Sequence, residues 1–410
     1  MTSNNNLNVE KNKAEVSKNV PELRFQGFID AWELRKLGDL AEIKTGPFGS
    51  TLHAEDYVEN GTPIITTEHF KFGSLPNSKE GTPQVSAADY SRLSGYILQK
   101  DDIVFSRVGS VDINALVEDS QHSWLFSGRV LRVRSFENIN SLYLHYELST
   151  TRVKNSVISR AVGQTMPSIN TEILKNTMVS LPRYFEEQQK IGSLFKHLDN
   201  TIALHQRKLD KLKRFKHGYL QQLFPKNGEK VPRVRFANFE NEWELHKLED
   251  IIISELKGKA KAEMYGTSSP YLETNYLNGG EVSYVDSPIN VDKDDVIILW
   301  DGSQAGTVYH GFKGALGSTL KAYSPKGSGE YLYQYLKLNQ QVIYDSYRTP
   351  NIPHVIKTFT KEFNVHFTCY EEQDKVGSFL NQLDEIIDLY QSKVDKLKLL
   401  KKGFLQKMFI

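Results

Sequence analysis

Two sets of polar and basic residues, one in each half of this 410-residue chain, have side chains suited to hydrogen bonding with nucleic-acid bases and phosphates. The first comprises Lys44, Thr45 and Ser50, then Ser106, Arg107 and Ser110, then Arg129 and Arg132, and finally Gln164 and Thr165. The second comprises Lys257, Lys259 and Lys261, then Trp300, Ser303 and Gln304, then Lys321, and finally Arg348, Thr349 and Asn351. Arginine donates twice to guanine, the amides of Gln and Asn pair with adenine, and lysines and hydroxyls contact phosphate. Of these, Arg107, Gln164, Thr165, Ser303, Gln304, Arg348 and Asn351 are the candidates for base contact. Any one of these loops alone reads as a solvated turn. The signal is collective, because the two sets occupy matching places in a repeat.

No catalytic constellation accompanies them. The chain has no Gly-x-x-x-x-Gly-Lys-Ser/Thr phosphate loop and no Gly-x-Gly-x-x-Gly. It also lacks His-Glu-x-x-His, paired Cys-x-x-Cys, and the Asn-Pro-Pro-aromatic tetrapeptide of amino-group DNA methyltransferases. Gly317-Ser318-Thr319 and Gly109-Ser110 lack the flanks of a nucleophile elbow. His197 and His205 stand two helical turns apart, but the repeat has Tyr390 where His205 stands, which favours a structural histidine over a metal ligand. A single cysteine, Cys369, excludes an internal disulfide and fits a reducing, cytoplasmic setting. No apolar run approaches the roughly 18 residues of a membrane span. A formal net charge of +1 means that any basic surface is local, or that a partner shares the phosphate contacts.

The repeat defines the elements that must carry these loops. Residues 186–225 recur as residues 371–410 at an offset of 185 without a gap, about half the pairs being identical. Apolar residues in both copies alternate at three- and four-residue steps, which predicts two long helices with a coiled-coil seam. The first seam is Ile191, Phe195, Leu198, Ile202, His205, Leu209, Leu212, Lys216, Tyr219 and Leu223. The second is Val376, Leu380, Leu383, Ile387, Tyr390, Val394, Leu397, Lys401, Phe404 and Met408. So narrow a stripe needs a partner, and the other copy is the obvious one. About 35 helical residues make a rod of roughly 50 Å. Lys216 and Lys401, charged at matching seam positions, either fix register or mark where the rod opens toward a partner.

Upstream of each helix the repeat continues. Pro21 to Phe28 and Trp32-Glu33 match Pro232 to Phe239 and Trp243-Glu244 at an offset of 211. Lys100 to Phe105 matches Lys293 to Ile298 at 193, and Pro167 matches Pro353 at 186. The falling offset describes one domain with progressively shorter loops in its second copy. The predicted order is a loose tail (1–20), a first domain (21–180), a helix (181–225) and a linker (226–231). A second domain (232–368) and a second helix (369–410) follow. Ile103–Phe105 and Val296–Leu299 read as buried strands. Val130–Val133 and Thr319–Tyr323 read as half-buried strands with basic residues outward, and Tyr143–Leu148 and Tyr331–Leu338 as helices. Each domain is therefore mixed, and the fold class is α+β.

The Trp-Glu-x-x-x-Leu openings at Trp32 and Trp243, the Pro182…Glu186-Glu187-Gln188…Ile191 approach to the first helix, and the ends Gly218-Tyr219-Leu220 and Gly403-Phe404-Leu405 resemble the specificity subunits of type I restriction-modification enzymes. The resemblance covers nearly the whole chain after the tail. His366 departs from it, standing where the first copy has the Leu181-Pro182 step, so the start of the second helix is less defined. The resemblance implies two target-recognition domains, each reading one half of a bipartite duplex DNA site. It implies two antiparallel helices in a pseudo-twofold arrangement that set the gap between half-sites. Two methyltransferase subunits would bring S-adenosylmethionine chemistry on adenine, and restriction subunits would bring ATP- and Mg-dependent translocation and cleavage. This chain would carry no cofactor and no catalytic residue. The alternatives are a tandem coiled-coil adaptor that binds other proteins and, more remotely, a nuclease or methyltransferase with its own active site.

Overall fold

The computed structural model describes residues 19–47, 52–70, 73–226, 228–351 and 353–410. Two compact units emerge: residues 1–204 with 394–410, and residues 205–393. This division cuts across both long helices, so each unit holds parts of two helices and not one whole helix attached to its own domain.

In the first unit the central sheet is antiparallel, in the order Ala41–Thr45, Val130–Ser135, Ile103–Ser106, Asn114–Leu116. Ile103, Val104 and Phe105 are all buried, so this strand is covered on both faces and reads as a continuous apolar run without alternation. A smaller sheet joins Tyr57–Val58, Gln84–Val85, Thr62–Ile65 and Leu125–Phe126, the last pair running parallel. A two-stranded ribbon, Glu33–Lys36 with Met178–Leu181, ties the start of the domain to its end. The helix Ser141–Leu148 begins where the Asn140 side chain accepts from Tyr143 N.

The second unit repeats this plan. Its main sheet runs Ile252–Lys257, Leu320–Pro325, Val296–Leu299, Val308–Tyr309. Its smaller sheet is Tyr284–Val285, Tyr265–Leu272, Ala315–Leu316, and its ribbon is Glu244–Lys247 with Asn364–Phe367. Ser328 caps the helix Gly329–Leu338. His366, which breaks the sequence pattern, is a buried ribbon residue whose Nδ1 lies 3.0 Å from Tyr335 Oη.

The long helices are Phe185–Leu223 and Tyr370–Lys407, of 39 and 38 residues. At 1.5 Å per residue each is about 58 Å long. Ile191, Phe195, Leu198, Leu209, Leu223, Val376, Leu380, Leu383, Ile387, Val394 and Met408 are buried. Ile202, Leu212, Tyr219, Leu397 and Phe404 are half-buried. Within the second unit the helices run antiparallel: His205 stacks near Tyr390 while Lys216, further along, meets Asp384.

Each unit's core is completed by the C-terminal end of a long helix. In the first unit Phe409 packs among Trp32, Tyr143 and Phe195. In the second, Phe224 packs among Trp243, Tyr331 and Tyr335.

Candidate nucleic-acid interface

Four backbone hydrogen bonds draw the candidate loops of the first unit to one end of its main sheet. Gly46 N donates to Val130 O (3.2 Å), Arg107 N to Arg129 O (3.0 Å), Gly109 N to Pro167 O (2.8 Å) and Ile169 N to Arg107 O (2.9 Å). The second unit makes the same four at the same fold positions. Gly258 N donates to Leu320 O (3.0 Å), Trp300 N to Thr319 O (2.8 Å), Gly302 N to Pro353 O (2.9 Å) and Val355 N to Trp300 O (2.9 Å). Glycine is required twice in each set. A Cβ on Gly46 would lie 2.1 Å from Ser127 O, and one on Gly258 2.0 Å from Gly317 O. Gly109 and Gly302 turn the chain at φ of +83° and +120°, where a side chain is strained.

The side chains on this shared frame differ, and many are turned inward. Arg107 Nε donates to Ile169 O (3.2 Å) and Nη1 to Gly128 O (2.9 Å), so its guanidinium clamps two neighbouring loops; burial works against its charge. Lys44 Nζ donates to Gly95 O at 2.8 Å and lies over the Tyr96 ring. Thr45 is half-buried, and Ser106 is buried with Oγ 3.4 Å from Val108 O. Ser110, Arg129, Gln164 and Thr165 are exposed. Ser50 lies outside the described residues.

Arg132 corrects the expectation of an outward-facing base. It is only 3% exposed, and its Nη2 donates to Glu42 Oε2 at 2.6 Å. Burial lowers its pKa first, helped by nearby Arg134 and opposed by Asp102 and Glu42. The cause is register: Lys44 stands opposite Arg132, which sets Glu42 on the diagonal of the same face.

In the second unit Trp300 is likewise buried, and Lys321 Nζ sits 3.4 Å from its ring centroid while ion-paired to Glu255. Lys257 Nζ meets Asp301 Oδ2 at 2.5 Å. Arg348 Nη1 donates to Ser303 O (3.2 Å), and Thr349 Oγ1 lies 3.0 Å from His354 Nδ1. Lys259, Lys261, Ser303, Gln304 and Asn351 are exposed. The outward set is thus a few amides, hydroxyls and cations per unit, on loops held by carbonyl clamps. The sequence reading passed over Asp301 and its counterpart Val108, which the offset of 193 already aligns.

Residues 29–214 and 222–399 each match the family described as the type I restriction modification DNA specificity domain. The chain belongs to this family. Over 403 residues it is 24% identical to a putative type I restriction enzyme MjaX specificity subunit of Methanocaldococcus jannaschii, covering 90% of this chain and 91% of that one. Over 179 residues it is 31% identical to the type I restriction enzyme MjaVIII specificity subunit of the same organism; that match spans 41% of this chain and 42% of the relative. The crystal structure of a type I restriction-modification system S subunit from M. genitalium superposes with a TM-score of 0.68 at 17% identity, covering 95% of this chain and 99% of that chain. The last likeness concerns the fold. Two family matches, one per half, coincide with the repeat.

Proposed function

We propose that this chain is the DNA-recognition subunit of a type I restriction-modification enzyme, each unit reading one half of a bipartite duplex site. The observation that carries this is the matched frame with unmatched side chains. The same four backbone bonds hold the loops at the same sheet end in both units, while Arg107 stands where Trp300 does and Val108 where Asp301 does. A repeat that keeps a frame and varies what it displays suits recognition of two different sequences.

The long helices serve as the spacer. Half-sites one helical turn apart are separated by about 34 Å along DNA, a distance within the length of either helix. Chemistry belongs to other subunits in this reading: methyltransferase subunits with S-adenosylmethionine act on adenine, and restriction subunits use ATP and Mg. All work in the cytoplasm. Among the described residues no helix is long and apolar enough to cross a membrane. Leu204 and Leu389, and likewise Phe215 and Leu400, are exposed at equivalent positions of the two helices and offer apolar surface to such subunits. A net charge of +1 fits a protein that shares phosphate contacts with its partners.

The test is a genome-wide map of methylated adenine in cells with and without this gene, the methyltransferase partner being expressed. A bipartite methylated motif that disappears with the gene supports the reading and names both half-sites. Gene-independent methylation overturns it in favour of an adaptor that binds proteins.

A further inference from the structure

Asp301 lies within the second unit's loop cluster, two residues beyond the strand Val296–Leu299. Its backbone N–H donates to Thr319 O at 3.1 Å, and it forms an antiparallel bridge with His354. Gly302 then turns the chain toward the exposed Ser303 and Gln304. One carboxylate oxygen, Oδ2, accepts from Lys257 Nζ at 2.5 Å, and the side chain is 47% exposed. No second donor to this carboxylate is found among the described residues.

A carboxylate on a surface that meets DNA is repelled by phosphate unless a cation compensates it, and Lys257 does so here. An ionised carboxylate only accepts hydrogen bonds. The base-edge groups it can favourably meet in the major groove are therefore the exocyclic amino groups, N4 of cytosine and N6 of adenine. The fold does not need an acid at this point. The equivalent bridge of the first unit joins Val108 to Ser168, and there the side chain is aliphatic.

We infer that Asp301 is a specificity-determining residue that accepts a hydrogen bond from an exocyclic amino group of one base in the second half-site, with Lys257 positioning its carboxylate. The role rests on the reading of the second unit as a DNA reader.

The test is selection of bound duplexes from a pool randomised across the second half-site. It uses the full-length chain, alone and with the methyltransferase subunits proposed above, as wild type, Asp301→Val and Asp301→Asn. Valine is the residue the repeat carries at this position, and asparagine is nearly isosteric, so one variant supports the test if the other melts early. Asp301→Val is expected to lose preference at one position by about tenfold, with the first half-site unchanged. Asp301→Asn is expected to shift that position toward adenine if the wild type selects cytosine, and to retain adenine if it selects adenine. An unchanged motif in both variants, or a uniform loss of affinity with the motif intact, overturns the role of Asp301 and leaves the DNA-reading function standing. A wild-type chain that selects no sequence at all overturns that function, and this role with it.

Discussion

Lys401 Nζ lies 2.5 Å from Asp199 Oδ1, joining the two long helices within the first unit, and Tyr146 Oη donates to the other oxygen of Asp199 at 2.8 Å. The second unit repeats the relationship with exchanged partners: Lys216 meets Asp384 at 2.5 Å, and Gln334 Nε2 donates to Asp384 Oδ2 at 2.9 Å. Each aspartate thus receives a lysine from the opposite helix and a donor from a domain helix. That accounts for Asp199/Asp384 and Lys216/Lys401 among the polar positions that recur between the two helices. They fix the register of the helix pair and seat each domain on it.

Replacing Lys401 with methionine should therefore lower stability by about 1 kcal/mol, since the pair is partly exposed. The Lys401→Met, Asp199→Asn double variant should recover part of the loss. Denaturant unfolding of the four members of the cycle measures the coupling, and strict additivity would mean that the pair contributes nothing.

Phe409→Ala should destabilise the first unit by about 3–5 kcal/mol, because it empties a pocket between Trp32, Tyr143 and Phe195. Phe224→Ala should do the same to the second unit. Hydrogen exchange of the full chain distinguishes the two: Phe409→Ala should lose protection within residues 19–204, and Phe224→Ala within residues 228–393. Equal loss in both units under either change would contradict separate cores.

The first unit should weaken in acid through His145. Burial pushes this imidazole down to about 4, against an attractive contribution from Asp199 and further lowering by Lys401, Lys196 and Lys154. Its Nδ1 lies 2.6 Å from Asn114 Oδ1. With the folded value below the ordinary 6.5, the unfolded chain takes up the proton first. Its contribution is complete above pH 6.5 and is lost as the pH falls toward 4, up to about 3 kcal/mol. Unfolding free energies of wild type and His145→Gln should converge across that window, and parallel curves would contradict the assignment.

Much of the architecture was legible without coordinates. The offsets identify a repeated domain followed by a repeated helix, because duplication leaves matching residues in the same order. The offset is constant through the helices and falls where the loops of the second domain are shorter. The seam is legible because burial against one partner imposes steps of three and four, and the strands at Ile103 and Val296 because two-sided burial demands an unbroken apolar run. The loops named as groups in the sequence are brought together by backbone hydrogen bonds in each unit, and Gly46 and Gly258 mark where backbone passes within contact of backbone. The orientation of single side chains was not legible. Arg107, Arg132, Lys257 and Lys321 are basic in sequence, but a charge does not declare its partner. Those partners are the carbonyls of Ile169 and Gly128 and the carboxylates of Glu42, Asp301 and Glu255, brought in by strand register and loop closure. Trp300 looked like a surface aromatic and is core. Nor does periodicity assign Phe409 to the first core and Phe224 to the second, since that follows from the helices running antiparallel. The amino-acid sequence by itself determined the repeat, the helices and the polar loops, which depend on local pattern. The tertiary structure alone decided which of those polar groups are spent inside each unit and which remain free to meet a ligand, because pairing depends on residues far apart in the chain.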